Sequence, residues 1–317
     1  MKKTKGKRKY QWMQTRLNYQ LASSASGSPH ADSHYIDVAR GLSLLNRELV
    51  RQGQLFRIKG MSVYQAGDTD NRRIMVSTVP TNWVARNSWV KGKALWDKMN
   101  AMAAEDLSGP FMYPKYHDFK VYLNVNHRTD VLAGNIPIPC DADGNAVSTA
   151  SAEWVYSEFA DSGSSSDNYD VKFLGSNDTV GGSTDNYLTV GLIDAYRLSR
   201  SLPHSSDPVL PSDFKEGPWA QLFGDDDQTN DVLTNLDQDN DAPPYPYLEY
   251  VGDGSDDGGF SVGSYAAQKS GSGGKITFPT FNAPCGLIRV EVDDDSDMTD
   301  EIVHISFDVE ILGPMDM

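Results

Sequence analysis

The sequence predicts an all-β chain: an eight-stranded antiparallel arrangement in two packed sheets, with long loops and one inserted amphipathic helix. Three observations lead there. Short apolar runs alternate with polar residues at a period of two, which puts one set on a buried sheet face and the other toward water. Only nine of the 44 acidic residues are Glu, and Asp favours turns and caps where Glu favours helices. Stretches rich in Gly, Ser, Asp and Pro separate the apolar runs, as in β folds with long connections.

The clearest alternation is near the end, from Glu301 to Leu312. There Val303, Ile305, Phe307, Val309 and Ile311 interleave with His304, Ser306, Asp308 and Glu310. Upstream, Ile288, Val290 and Val292 alternate with Leu287, Arg289 and Glu291, and Asp293 to Asp297 forms a charge-dense link. Two alternating strands around a polar turn predict a hairpin. Six further strands are expected at 55–64, 73–79, 119–126, 153–159, 169–174 and 187–198, besides 286–292 and 301–312. The pattern in 187–198 slips near Gly191, which predicts a bulge. Shorter strands are expected at 247–251 and 275–278.

Asn82 to Glu105 has a different period. Ala85, Trp89, Trp96, Met99 and Ala103 recur at helical spacing, with Arg86, Lys91, Lys93 and Lys98 elsewhere, so this is the amphipathic helix. Its Trp and Met stripe reads as packing against a sheet. Tyr35 to Arg51 reads as a short helix or an irregular segment. Eight strands with long variable connections fit a double-sheet jelly roll; a lectin-like or immunoglobulin-like sandwich has a similar strand count.

At 317 residues the chain can bury a large core. The net charge of −16 is unevenly spread: residues 1–130 sum to about +11 and residues 131–317 to about −27. Such asymmetry suits a polyanion partner at one end and a solvated acidic surface at the other. Residues 1–9 carry six cations, followed by Tyr10, Trp12 and Arg16 and then a Ser/Ala/Gly linker to Pro29. A basic tail punctuated by aromatic residues suits phosphate neutralisation with base stacking. The same run also reads as a nuclear import signal or a solubilising tail. Residues 1–34 are therefore expected to be a flexible arm and linker. Residues 35–317 are expected to form the β domain, with a loop-rich insertion at about 199–284.

The two cysteines, Cys140 and Cys285, are too few for a disulfide framework. The basic start lacks the apolar core of a secretion signal, and no stretch is long and apolar enough to span a membrane. A reducing compartment is expected. Gly271 to Lys275 fails as a phosphate loop because Ile276 stands where Ser or Thr is needed. His30 and His34 lie in a loop context. Asp141 to Asn145 and Asp237 to Asp241 begin like calcium loops but lack the later Gly and carboxylate. Asp225, Asp226, Asp227, Asp237, Asp239 and Asp241 are the metal candidates, for Ca²⁺ alone. No other cofactor and no catalytic residue is expected.

Three segments resemble capsid proteins of the circular, Rep-encoding single-stranded DNA viruses, in particular circovirus-like genomes from environmental samples. They are the Lys2–Lys9 run, the block Asn82 to Asn100, and the strand His304 to Glu310. The resemblance implies a jelly-roll subunit that self-assembles into a small icosahedral shell, on the order of 60 copies. It also implies an interior arm on single-stranded DNA, and localisation to the virion with a stage in the host nucleus. The expected nucleic-acid contacts are Lys2, Lys3, Lys5, Lys7, Arg8 and Lys9, with Tyr10, Trp12 and Arg16 as secondary ones. The resemblance leaves the host receptor undefined and implies no membrane insertion. The rival readings are a calcium-dependent carbohydrate-binding β-sandwich and a β-rich hydrolase using paired carboxylates.

Overall fold

The computed structural model describes residues 13–22, 32–65, 72–105, 114–141, 143–147, 154–160, 168–179, 187–200, 244–246, 249–254, 260–267, 275–294 and 302–315. The described chain is β-rich, with strands mostly in antiparallel sheets and four helices. It divides into two units, Met1–Tyr196 with Val251–Met317, and Arg197–Tyr250. Most of the second unit lies outside the described residues.

Two sheets carry the core. The first, sheet A, contains β1 (Arg16–Ala22), β3 (Gln54–Gln65), β10 (Lys275–Thr277), β11 (Phe281–Pro284) and β13 (Ile302–Pro314). Its order is β1-β13-β3, with β10 and β11 both on the far side of β3. The second, sheet B, runs β2 (Asp32–Asp37), β12 (Leu287–Asp294), β4 (Arg72–Thr78) and β9 (Phe260–Ala267). Every pairing in these two sheets is antiparallel.

Period-two patterning puts one face of each sheet into a single shared core. Leu17, Tyr19 and Leu21 from β1, Phe56 and Ile58 from β3, and Val303, Ile305 and Phe307 from β13 meet Ile74, Val76, Ile288 and Val290 from sheet B. Each such side chain contributes about 1.5–3 kcal/mol when fully buried. The phase slips within β3, where Ile58 and Met61 are both buried although three residues apart. The pairing with β13 shifts register at the same place, between Ser306 and Asp308. Gly60 takes φ 58° there, which lets the extra residue of a bulge fit without a Cβ clash.

The helices follow local signals. In α1 (Val38–Asn46), the Asp37 side chain accepts the Arg40 amide as an N-cap. In α2 (Trp83–Glu105), Asn82 accepts the Ala85 amide in the same way. The N-terminal half of α2 buries Ala85 and Trp89, and Trp96 stacks on His117 at 4.3 Å, so the Trp residues pack, but on the segment around residues 117–119 rather than on a sheet.

Several expectations need correction. The Ile288 and Ile305 strands are not a hairpin: β12 lies in sheet B and β13 in sheet A, because each already has a neighbour on both edges. Residues 119–126 do not form a strand. Phe119, Val121 and Leu123 are buried in an extended segment that makes one bridge, Tyr122 to Lys172. Asn124 then caps α3 (Val125–Ala133) by accepting the His127 amide. The 153–159 strand shrinks to β5 (Glu158–Ala160), and β6 is Asn168–Lys172. Within residues 187–198 the register shift falls at Leu188, opposite Asp178 and Thr179, and not at Gly191. These residues split into β8 (Tyr187–Gly191) and α4 (Leu192–Leu198), since Leu192, Ile193 and Tyr196 have helical spacing. Together with β7 (Asp178–Thr179), these strands form a third sheet, β5-β6-β8-β7, in which β6 and β8 run parallel.

The expected 1–34 arm is too long. Leu17, Tyr19 and Leu21 sit in the core, and β2 begins at Asp32. The expected 199–284 insertion is likewise too long, because β9, β10 and β11 belong to the two main sheets. Residues 249–252 end in a turn at Val251 rather than a strand, and Tyr247 and Leu248 lie outside the described residues.

The step from sheet A to sheet B at residues 284–287 is tight. Cys285 and Gly286 take φ 57° and 68°, and Gly286 O accepts the Val38 amide at 2.9 Å. A Cβ on Gly286 would stand 2.9 Å from Val38 Cβ and 3.1 Å from the Phe56 ring. Gly286→Ala should therefore lower stability by about 1–3 kcal/mol, read as a lower thermal midpoint by circular dichroism. An unchanged midpoint would contradict this account of the turn.

Candidate functional site

The expected contacts Lys2, Lys3, Lys5, Lys7, Arg8, Lys9, Tyr10 and Trp12 lie outside the described residues, as do Asp225, Asp226, Asp227, Asp237, Asp239 and Asp241. Among the described residues no cluster of three His, Cys, Asp or Glu side chains could hold a metal ion. Cys140 and Cys285 are free thiols, and burial pushes both up from the ordinary thiol range. No helix among the described residues is long and apolar enough to cross a membrane.

Arg16 is the one expected contact that is described. It is the first residue of β1, on the edge of sheet A, with its side chain on the face away from the core. Its Nε donates to Ser306 Oγ at 3.1 Å. On that same face the registers align a row across four strands: Gln20 opposite His304, His304 opposite Tyr64, and Tyr64 opposite Lys275. A loop forms one wall. Cys140 donates its amide to Asn18 O at 2.7 Å, and Pro139 bridges to Tyr19, so residues 139–140 run along the edge of β1, and Val147 donates its amide back to Pro139 O. Asp141 Oδ1 accepts the Asp143 and Asn145 amides at 3.0 and 2.9 Å, which fixes the turn. Strand face and loop enclose an open groove of about 450 Å³, within the size range of small-ligand sites.

The groove mixes polar and apolar surface, and several of its polar groups are under-used. The side chains of Asn18, Gln20, His304 and Asp143 line it and have no partner among the described residues. Tyr64 is 41 % exposed, and Lys275 Nζ lies 5.4 Å from its ring centroid. Amides, an imidazole, a guanidinium and an aromatic face can together bind a flat, hydrogen-bonding ligand. Of these residues, only Arg16 was expected from the sequence as a contact. The alternation of β13 marked His304 and Ser306 as outward-facing, but only the cross-strand registers bring Gln20 and Tyr64 beside them.

A second polar cluster is buried and fully occupied. Asp37 accepts from the Arg40 amide, Gln52 Nε2 at 2.9 Å, Trp154 Nε1 at 3.2 Å and the Tyr156 hydroxyl at 3.3 Å. Gln52 also closes a pair of bonds with the Val121 backbone, at 2.6 and 3.1 Å. Leu123 donates its amide to His127 Nδ1 at 3.0 Å, so the neutral ring carries its proton on Nε2, 3.4 Å from the Tyr156 hydroxyl. Burial pushes the Asp37 carboxyl up from its usual range, against the amide bonds that lower it. Burial also takes His127 down to about 3, with Arg40 adding to the shift. This chain of groups joins β2, the segment before β3, residues 119–124, α3 and residues 154–157. With every group satisfied and the ring sealed from water, its role is to fasten these segments together.

Comparison of the chain with family models, with curated proteins and with solved structures finds no match.

The His127 shift has a pH consequence. A ring held neutral in the fold stabilises it fully above the unfolded value of about 6.5, and that contribution is lost as pH falls toward 3. The raised Asp37 value acts in the opposite sense, being lost as pH rises. Replacing His127 alone isolates its part. Between about pH 6.5 and 5, wild-type stability should fall relative to His127→Gln by about 1.4 kcal/mol per pH unit, measured by denaturant unfolding. Parallel pH profiles would contradict the buried neutral ring.

Proposed function

We propose that this chain is a structural protein: a jelly-roll capsid subunit that assembles into a closed icosahedral shell and encloses single-stranded DNA through its basic N-terminal segment. The observation that carries this reading is the strand order. Counting β10 and β11 as one interrupted strand beside β3, the two main sheets contain eight strands that alternate between sheets along most of the chain. Their orders are first-last-third-sixth and second-seventh-fourth-fifth. This order supports a jelly-roll winding, a double sheet well suited to shell subunits.

The charge layout supports the second half of the proposal. Six cations lie between Lys2 and Lys9, a few residues before β1. They precede an edge strand, so the segment can act without disturbing the shared core. Six phosphate contacts per subunit on a single strand imply a slope of about −4 in log affinity against log salt. The remainder of the chain is acidic overall, which disfavours nucleic acid over most of its surface. Subunit contacts in such a shell are heterologous and must close; the Arg197–Tyr250 unit supplies material for them.

Purified full-length protein should sediment as uniform particles that hold nuclease-resistant nucleic acid. A chain lacking residues 1–9 should keep its thermal midpoint and its particles but lose most of the protected nucleic acid. A monomer at all salt and pH values would overturn the shell. Undiminished protection after the deletion would overturn the role of the basic segment.

A further inference from the structure

We propose that the groove on the outward face of sheet A binds a nucleotide of the enclosed strand, with its base stacked on Tyr64 and its flanking phosphates held by Lys275 and Arg16. The inference rests on the reading above that the chain encloses nucleic acid. It adds a specific site on the folded body to the basic segment.

Three observations favour this occupant. First, the groove continues the basic segment: β1 opens with Arg16, and β1 forms one edge of the groove. Lys9 precedes Arg16 by seven residues in the sequence. Second, Tyr64 is 41 % exposed, with the Lys275 ammonium over one face of its ring, which leaves the other face as a stacking platform. Stacking on an aromatic residue within a cationic track is how sequence-tolerant single-strand binding is built. Third, Asn18, Gln20 and His304 offer hydrogen-bonding groups without a partner among the described residues, between Tyr64 and Arg16, suited to base edges and sugar oxygens.

The two carboxylates on the loop wall do not oppose this. One oxygen of Asp141 is committed to its own loop amides. Asp143 can accept from the amino group of a base, though not from a phosphate. A neutral sugar could also use the amides and the Tyr64 face, but it would draw nothing from the Arg16 and Lys275 charges.

The test uses the full-length chain and a short oligodeoxythymidylate containing 5-iododeoxyuridine, which photo-crosslinks to aromatic rings stacked on it. The expected result is an adduct on the peptide containing Tyr64. Tyr64→Ala should lose that adduct and bind about tenfold more weakly at salt high enough to weaken the basic segment. Tyr64→Phe, which keeps the ring, should retain both. Adducts confined to Tyr10 and Trp12, with wild-type affinity in Tyr64→Ala, would overturn the groove site while leaving the proposed shell intact. Competition by a neutral oligosaccharide but not by unlabelled oligonucleotide would also overturn it, in favour of a glycan occupant. If the full-length chain binds no oligonucleotide at all, the proposed function falls with the groove.

Discussion

The core shared by sheets A and B is the constraint on which the rest depends. β13 is central to it. It lies between the first strand and β3, so the end of the chain is inserted into a sheet started at its beginning. Val303, Ile305, Phe307 and Val309 are buried on one side, and the groove residues His304 and Ser306 lie on the other. One alternating strand therefore sets the position of both core and groove. A register slip of one residue would exchange the two faces. The bulge at Gly60 keeps Phe56 and Ile58 in phase with Met61 and Val63 on the core side.

The Asp37 cluster is a second dependency, of a different kind. The long excursion between β4 and β9 carries α2, α3 and the third sheet, and it has to be fixed against the core. Apolar contacts such as Trp89 with Phe119 help, at 5.9 Å between centroids. The polar cluster adds direction: Gln52 pairs with one backbone residue, Val121, and Asp37 accepts from two side chains of the 154–157 segment. Removing one member would leave several buried groups unpaired, which costs more than the bond itself.

The fold class and the strongest strands were legible in the sequence because their signal is local. Alternation in 301–312, 286–292, 55–64 and 73–79 is enough to mark strands, though the bulge at Gly60 changes the buried phase within 55–64. Partners were not legible. Ile288 and Ile305 lie close in sequence with a polar link, and only the occupied edges of both sheets show that they do not pair. The 119–126 segment alternates because it threads between buried groups, and its extended form is held by Gln52, Val171 and Ser157 rather than by a ladder. β1 was hidden because Leu17, Tyr19 and Leu21 follow a basic run whose charge suggested a tail. The groove was hidden for a related reason: Gln20, His304, Tyr64 and Lys275 are far apart in the chain and meet only through strand register.

Taken together, the winding of the two sheets, the basic segment before β1 and the groove beside it form one proposal: a shell whose lumen is lined by the outward face of sheet A. An electron cryo-microscopy reconstruction of the purified particles tests this most directly. The account predicts closed icosahedral shells in which β1, β13 and β3 face inward, with extra density over Tyr64. Particles with sheet A facing the exterior, or a protein that forms no closed shell, would contradict it.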